Sequence, residues 1–419
     1  MVELYEHQKL GKKYLLDLKK ACLFFEVGTG KTFTALSAIT ELPKGLKVLI
    51  VAPKRVLEHV WKVDKTYDLS DWDVTYLNYE KIARDKTIMS KWFDCIVLDE
   101  VHKIKGKTTN TSTRIKALAK KARYVWGLTG TPVANNYADI YNIYKNMDIV
   151  EFSMSYNQFC TEYYYCRPLE KGIYTIPILI APKSLRIPEL LARIGRHSLT
   201  KKAVDCIDLP EKKTIIHKLE GMDSKKYKEI ESGIYDMPDD TRTMLKLEAI
   251  NKAHQAANGF VYNLIGFAQE LKTNIKDEYL VNLVSTHLEE SDKIIIVYQY
   301  RRDLDMIKDI LSEEDFSVTT DVAEFEKDSQ ILLLQFGQAE GLNLQFCNTM
   351  IFYTYDYSFL KFDQMCGRIY RSGQKNNVTY HILINTNTIE DKIWWAINNK
   401  KTTDEFLKGA LTNGQFTQI

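Results

Sequence analysis

Short apolar runs that each end in a polar loop recur along this chain, and helical stretches separate them. The first four are "ACLFF" (21–25), "KVLIVAP" (47–53), "CIVLDE" (95–100) and "YVWGLTGTP" (124–132). One of the stretches between them, from Lys31 to Glu41, has helical character. This alternation predicts a parallel sheet with helices on both faces and a ligand site at the carboxyl ends of the strands. A first α/β unit of this kind ends soon after residue 150. The pattern resumes at "DKIIIVYQY" (292–300) and continues through "SQILLLQF" (329–336), "NTMIFYTY" (348–355) and "VTYHILIN" (378–385), which predicts a second unit.

Length agrees with that division. At 419 residues the chain exceeds one ordinary core, and about 100 to 200 residues per domain allows two or three units. Between the two patterns the sequence changes character. "EFSMSYNQFCTEYYYCRP" (151–168) is rich in aromatic residues, "IPILIAPKSLRIP" (176–188) is broken by prolines, and 223–260 reads as mostly helical. The expected organisation is a first lobe over 1–150, an insertion and connection over 151–205, and a second lobe over 206–419 with a helical insertion at about 222–275. No internal repeat or low-complexity tract is present.

Composition narrows the class. With 45% hydrophobic and 27% charged residues, the chain has the balance of a soluble globular protein. No segment approaches the ~20 consecutive apolar residues of a membrane span, and "MVELYEHQKL" lacks a signal-peptide core. A cytoplasmic protein with no membrane partner is the expectation. The seven cysteines are scattered without a CxxC pair, so neither a disulfide framework nor a zinc knuckle is indicated. Net charge is only +2, yet between Val101 and Ala138 there are eight Lys/Arg and no Asp or Glu. Such a stretch suits either a phosphate backbone or a solvated helix face.

The candidate chemistry begins at "FFEVGTGKTF" (24–33). The full phosphate-loop pattern has a glycine five residues before the GK pair, where this chain has Phe25. What remains is still specific. Gly28 and Gly30 permit close approach of phosphate to backbone N–H groups around Thr29. Lys31 supplies an ammonium for the β and γ phosphates, and the Thr32 hydroxyl suits an octahedral magnesium shell. A glycine-rich turn joining strand to helix is the plain alternative.

"CIVLDE" ends in Asp99 and Glu100, followed by Val101 and His102. A carboxylate at a strand end beside a phosphate loop is placed to hold magnesium through water, and its neighbour to orient the attacking water. A charged pair that merely ends a strand is the alternative. "GLTGTP" sets the hydroxyls of Thr129 and Thr131 at another strand end. In "QMCGRIYRSGQ" the i, i+3 spacing of Arg368 and Arg371 predicts two guanidiniums on one helix face, suited to charge developing on a γ-phosphate. A solvated basic helix would look the same.

The order GTGKT, DEVH, LTGTP and QMCGRIYR resembles that of the superfamily-two helicases, and finer detail is similar to their Swi/Snf-related, DEAH-type branch of DNA translocases. The detail lies in "VLIVAPKRVLEHVWKVD", "VTYLNYEKI", "HKIKG", "LTGTPVANNYADIYNIY" and the long stretch from "GQAEGLNLQF" to "NTIEDKI". The resemblance implies an α/β fold of two RecA-like lobes, with ATP and Mg2+ as cofactors. It implies that Gln8 reads the adenine edge and that Gly28, Thr29, Gly30, Lys31 and Thr32 bind nucleotide. Asp99 and Thr32 would serve the metal, and Glu100 the attacking water. His102 and Gln364 would couple the lobes, while Gly341, Asn343, Arg368 and Arg371 would form the second lobe's part of the site. Pro53, Lys54, Asn78 and Lys105 would touch nucleic acid.

Four positions depart from the branch's pattern: Val101 in the acidic box, Glu340 in "QAEGLNL", and Ser198 with Leu199 where paired arginines are usual. The expected function is ATP-dependent translocation on double-stranded DNA. A strand-separating or branch-migrating helicase and an ATP-gated clamp stay open. The resemblance is to compact bacterial or phage members. Only a short stretch follows the second lobe, so no appended domain is expected, and a recruiting protein partner would direct the motor. The tyrosines at 163–165 suit base stacking, docking of a protein or a small core.

Overall fold

The computed structural model describes residues 3–399 apart from 64–65, 131–136, 153, 172–173, 221–223, 238–239, 244–245, 264, 272–274, 291–292 and 340. The chain divides into two compact units, Met1–Asp208 and Leu209–Ile419.

The first unit holds β1 (Lys20–Phe25), β2 (Lys47–Val51), β3 (Asp73–Leu77), β4 (Cys95–Asp99), β5 (Tyr124–Thr129), a hairpin of β6 (Tyr164–Lys171) and β7 (Tyr174–Pro182), and β8 (Ser198–Lys201). Six of these strands form one sheet in the order β3-β2-β4-β5-β1-β8, and every pairing is parallel. The four apolar runs account for its centre. β1, β2, β4 and β5 are buried almost throughout because helices cover both faces, so an uninterrupted apolar run is stable there.

The second unit adds β9 (Lys212–Leu219), the hairpin β10 (Ile234–Met237) and β11 (Asp240–Thr243), the hairpin β12 (Phe260–Tyr262) and β13 (Ala268–Glu270), then β14 (Ile294–Tyr298), β15 (Val318–Thr319), β16 (Ile331–Gln335), β17 (Thr349–Phe352) and β18 (Val378–Asn385). Its six-stranded sheet runs β15-β16-β14-β17-β18-β9, again all parallel. Each unit therefore has the helix-flanked parallel sheet expected of a RecA-like lobe.

Local detail differs from the sequence reading in several places. The region read as mostly helical over 223–260 does hold two helices, Ser224–Glu231 and Lys246–Ala257, but with the β10–β11 hairpin between them. The proline-broken stretch instead forms β7, where Pro177 and Pro182 sit on a two-stranded ribbon paired only with β6. A ribbon has an open edge, and an edge tolerates residues that donate no ladder hydrogen bond. Ser198 and Leu199 begin β8, paired with Cys22 and Leu23. The edge strands β3, β8 and β9 lack the long apolar runs of the centre. β9 alternates partly exposed and exposed residues, a weaker signal than continuous burial.

Of the tyrosine run, Tyr163 and Tyr164 are buried while Tyr165 is 60% exposed. The first two pack with Phe159 and extend the unit's core. All seven cysteines are free thiols. Among the described residues no helix is long and apolar enough to cross a membrane.

Candidate nucleotide site

The carboxyl ends of β1, β5 and β4 are adjacent in the first sheet, and most of the candidate residues lie there. β1 leads into the phosphate loop and then into the helix Lys31–Ile39. Gly28 has φ 85 and Gly30 φ 80, left-handed angles that cost a residue with a Cβ. At Gly30 the constraint is doubled, since a Cβ would lie 2.2 Å from the Gln8 side-chain nitrogen.

Gln8 is buried on the helix Glu6–Leu18 and reaches the loop directly. Its Nε2 donates to the Thr29 carbonyl at 3.2 Å, and its Oε1 accepts from Tyr5 N at 3.0 Å. His7 Nε2 lies 2.8 Å from the same Thr29 carbonyl. The Thr29 hydroxyl turns back to the Glu26 carbonyl at 2.7 Å. His7 was not singled out from the sequence, although its place beside Gln8 in "EHQ" was a signal.

Phe25 explains its own departure from the glycine pattern. Its side chain is fully buried beneath the loop, packed on His7 and against Gly11 of the first helix. Only its carbonyl serves the loop, accepting from Lys31 Nζ at 2.7 Å, with the Glu26 carbonyl at 3.2 Å. Glu26 in turn ties the loop to β8. Its N donates to the Lys201 carbonyl at 3.0 Å, and its carboxylate accepts from Ala203 N at 2.8 Å.

At the end of β4, Asp99 is held from three sides. Trp61 Nε1 donates to Oδ2 at 2.8 Å, Glu100 N to Oδ1 at 3.0 Å, and the Tyr79 hydroxyl to the Asp99 carbonyl at 2.6 Å. Burial, and then the neighbouring Glu100, push the Asp99 carboxyl up to about 6, against the lowering pull of Trp61 and Lys31. A cation at this position would relieve that penalty.

Glu100 itself adopts φ 54 and ψ 52, a left-handed conformation that is uncommon for a side-chain-bearing residue and concentrates at functional sites. There its carboxylate lies 3.3 Å from His102 Nδ1, which is 3.1 Å from the Thr129 hydroxyl. Glu100, His102 and Thr129 thus form a connected group at the ends of β4 and β5. Thr131 and Glu340 lie outside the described residues.

The donor set fits magnesium. Among the described residues no cluster of three or more His, Cys, Asp or Glu could hold a metal alone. Magnesium instead takes one or two carboxylates with phosphate oxygens and water, which Asp99 and the half-buried Thr32 at the helix start can serve.

The residues implied to touch nucleic acid are in well-defined positions. Pro53 is buried at the start of a short helix, and Lys54 is exposed beside Glu58 at 4.0 Å. Asn78 caps the helix Tyr79–Arg84, its Oδ1 accepting from Lys81 N at 2.8 Å. Lys105 pairs with Asp139 at 3.2 Å. Other cations of the basic stretch also have partners within the unit: Arg114 donates to the Ile82 carbonyl at 2.8 Å, and Lys107 lies 4.5 Å over the Tyr156 ring.

In the second unit the expectation of two arginines on one helix face is overturned. The helix Phe359–Cys366 carries Gln364 but ends at Gly367, so Arg368 and Arg371 occupy the turn beyond it. The turn is bound to the loop of Gly341 and Asn343. Leu344 N donates to the Arg368 carbonyl at 3.2 Å, and Arg371 Nη1 to Asn343 Oδ1 at 2.5 Å. Gly341 has φ 81, which only a glycine adopts at little cost. Burial, and then Arg368, lower the Arg371 guanidinium to about 10. Gly341, Asn343, Arg368 and Arg371 therefore belong to one connected patch.

Comparison with known proteins adds a family. The model of the SNF2-related domain matches residues 62–280. An uncharacterized ATP-dependent helicase of Bacillus subtilis, YqhH, is 23% identical over 94% of this chain and 77% of its own length. A putative ATP-dependent helicase/translocase of the same organism, YwqA, is 26% identical over 95% of this chain, which spans 48% of that relative. The Sulfolobus solfataricus SWI2/SNF2 ATPase core in complex with dsDNA is 21% identical, covering 99% of this chain and 94% of that one at a TM-score of 0.44, too low to bear on the fold. The chain belongs to the SNF2-related domain family.

Proposed function

We propose that this chain is an ATP-dependent, DNA-stimulated ATPase that moves along double-stranded DNA. The observation that carries the reading is the convergence of the glycine-rich loop, acidic pair and Thr129 at adjacent strand ends, with Asp99 accepting from Trp61 and Glu100 from the Thr129 hydroxyl. Membership of the SNF2-related family supports it, as do the helicase and translocase names of the Bacillus subtilis relatives.

In this reading Lys31 and the loop N–H groups bind the phosphates, and Gln8 reads the base. Magnesium, when bound, would supply electrostatic stabilisation of the phosphates, and Thr32 and, through water, Asp99 would hold it. Glu100 orients the attacking water, and His102 and Thr129 hold Glu100. Arg368 and Arg371 are the second unit's cations for the γ-phosphate, Arg371 held by Asn343 and the Arg368 main chain by Leu344 N. Pro53, Lys54, Asn78 and Lys105 track the DNA backbone, which makes binding salt-sensitive and largely independent of sequence. The reading includes lobes at about 1–150 and 206–419, a recruiting protein partner, and a soluble DNA-associated protein of bacterial or phage type.

The test is steady-state ATPase activity with no nucleic acid, single-stranded DNA, duplexes of increasing length and RNA, using Lys31→Ala and Glu100→Gln as blanks. Stimulation that grows with duplex length is the expected result. Stimulation independent of length would indicate a clamp, and release of a labelled strand from a fork would indicate unwinding. Stimulation by RNA or single strands alone would overturn the substrate.

A further inference from the structure

Two aromatic side chains from different segments meet on one aspartate. Trp61 closes the segment that begins with Pro53 and Lys54, and Tyr79 directly follows Asn78. Both rings are buried, Trp61 at 1% and Tyr79 at 4% exposure. Neither burial nor packing requires that their polar hydrogens share a target, yet both are bonded to Asp99, one at the carboxylate and one at the main-chain carbonyl.

The backbone around Trp61 is itself unusual. Leu57–Trp61 is a π-helical turn, with Lys62 N donating to the Leu57 carbonyl at 3.1 Å. Such turns occur often at functional sites because the wider spiral re-aims a side chain. Here it directs the indole at Asp99. Leu57 N also donates to the Pro53 carbonyl at 3.0 Å, so the turn is continuous with the buried Pro53 that precedes exposed Lys54.

We infer that Trp61 and Tyr79 are positioning residues that couple nucleic-acid contact at Pro53, Lys54 and Asn78 to the placement of Asp99. The inference rests on the function proposed above. A displacement of either segment moves one of the three hydrogen bonds that fix Asp99. With Oδ2 accepting from Trp61 and Oδ1 from Glu100 N, each oxygen keeps a lone pair for the metal's water, and its direction depends on these donors. DNA and magnesium nucleotide should then bind with a shared coupling free energy, which is reciprocal.

The experiment measures the dissociation constant of a short labelled duplex, with and without a non-hydrolysable ATP analogue and Mg2+. The proteins are wild type, Trp61→Phe, Tyr79→Phe and Tyr141→Phe. The last deletes a hydroxyl that bonds the Met154 carbonyl instead. The analogue should shift duplex affinity of wild type and Tyr141→Phe by a factor of about 5 to 150. In Trp61→Phe and Tyr79→Phe that factor should fall at least threefold, and the effect of duplex on analogue affinity should fall equally.

A purely structural role would weaken individual affinities and leave the factor intact, and that result would overturn the inference. So would a wild type that shows no coupling. If Trp61→Phe does not fold, Tyr79→Phe, which removes one oxygen, decides alone. Failure of the wider reading is recognised separately, as a wild type whose ATPase does not respond to duplex DNA.

Discussion

Lys276 and Glu390 form an ion pair inside the second unit, 2.5 Å apart with side chains 0% and 2% exposed. Lys276 Nζ also donates to Asn258 Oδ1 and the Tyr353 carbonyl, both at 2.8 Å, and Glu390 Oε2 accepts from Asn385 N at 2.8 Å. The pair therefore ties the end of the inserted helix Lys246–Ala257 to the helices Ile275–Glu290 and Ile389–Asn398. Burial raises the Glu390 carboxyl and Lys276 opposes that rise, so each charge depends on the other. Lys276→Met is expected to cost about 3–5 kcal/mol by leaving a buried carboxylate unpaired. Urea unfolding of Lys276→Met beside Lys276→Met/Glu390→Leu checks this, and the double variant should be the more stable of the two.

The bond from Arg371 to Asn343 makes a kinetic prediction. Arg371→Ala is expected to lower ATP turnover on the order of 1,000-fold, with a smaller effect on nucleotide affinity. Asn343→Ala, which leaves the guanidinium only its longer bond to the Leu342 carbonyl, should give an intermediate loss. Steady-state kinetics with a parallel binding titration separate the two effects.

His381 predicts acid sensitivity. Its Nδ1 lies 2.8 Å from His217 Nε2, and the His287 ring lies 4.3 Å away. Burial first, then His287, His217 and Lys213, lower it to about 3. In the unfolded chain a histidine titrates near ~6.5, so below that pH the unfolded state binds the extra proton and stability falls down to about pH 3. The contribution is complete above ~6.5. Buried Asp303, pushed up to about 7, acts in the opposite direction, so the informative quantity is a difference between proteins. Between pH 6 and 5 wild type should lose up to about 1.4 kcal/mol more than His381→Phe. Urea midpoints at both pH values measure the difference.

Tyr163 and Tyr165 should behave in opposite ways although they are near neighbours. The Tyr163 ring lies 5.0 Å from Phe159, and its hydroxyl accepts from Arg193 at 2.9 Å. Tyr163→Ala is expected to cost about 3–5 kcal/mol, as for other buried aromatic truncations. Tyr165→Ala should stay within about 0.5 kcal/mol of wild type. Thermal unfolding tests both, and duplex or single-strand affinity of Tyr165→Ala tests base stacking, whose loss would cost about 1–3 kcal/mol.

The central strands and the glycine-rich turn after β1 were legible because their signals are local. β1, β2, β4 and β5 are apolar runs buried on both faces, and the glycines of GTGKT state a backbone requirement in residue type alone. The acidic pair was equally legible, since a strand end fixes where its side chains emerge. By contrast, β8 and β9 are edge strands whose partners lie far along the chain, and their composition resembles that of loops.

Lys276 illustrates what the tertiary structure alone decided. In sequence it is one of many lysines, and only the arrival of Glu390 from 114 residues away makes it a buried cation. Trp61 and Tyr79 are likewise ordinary core aromatics until Asp99, 38 and 20 residues distant, comes within reach of their polar hydrogens. Arg371 could be singled out in the sequence, but its location in a turn, held by Asn343 across 28 residues, could not be read there. Local residue order determined the strands, the phosphate loop and the acidic pair, because those depend on backbone preference and burial over a few residues. The partners of their side chains depended on contacts between distant segments, which no local periodicity encodes.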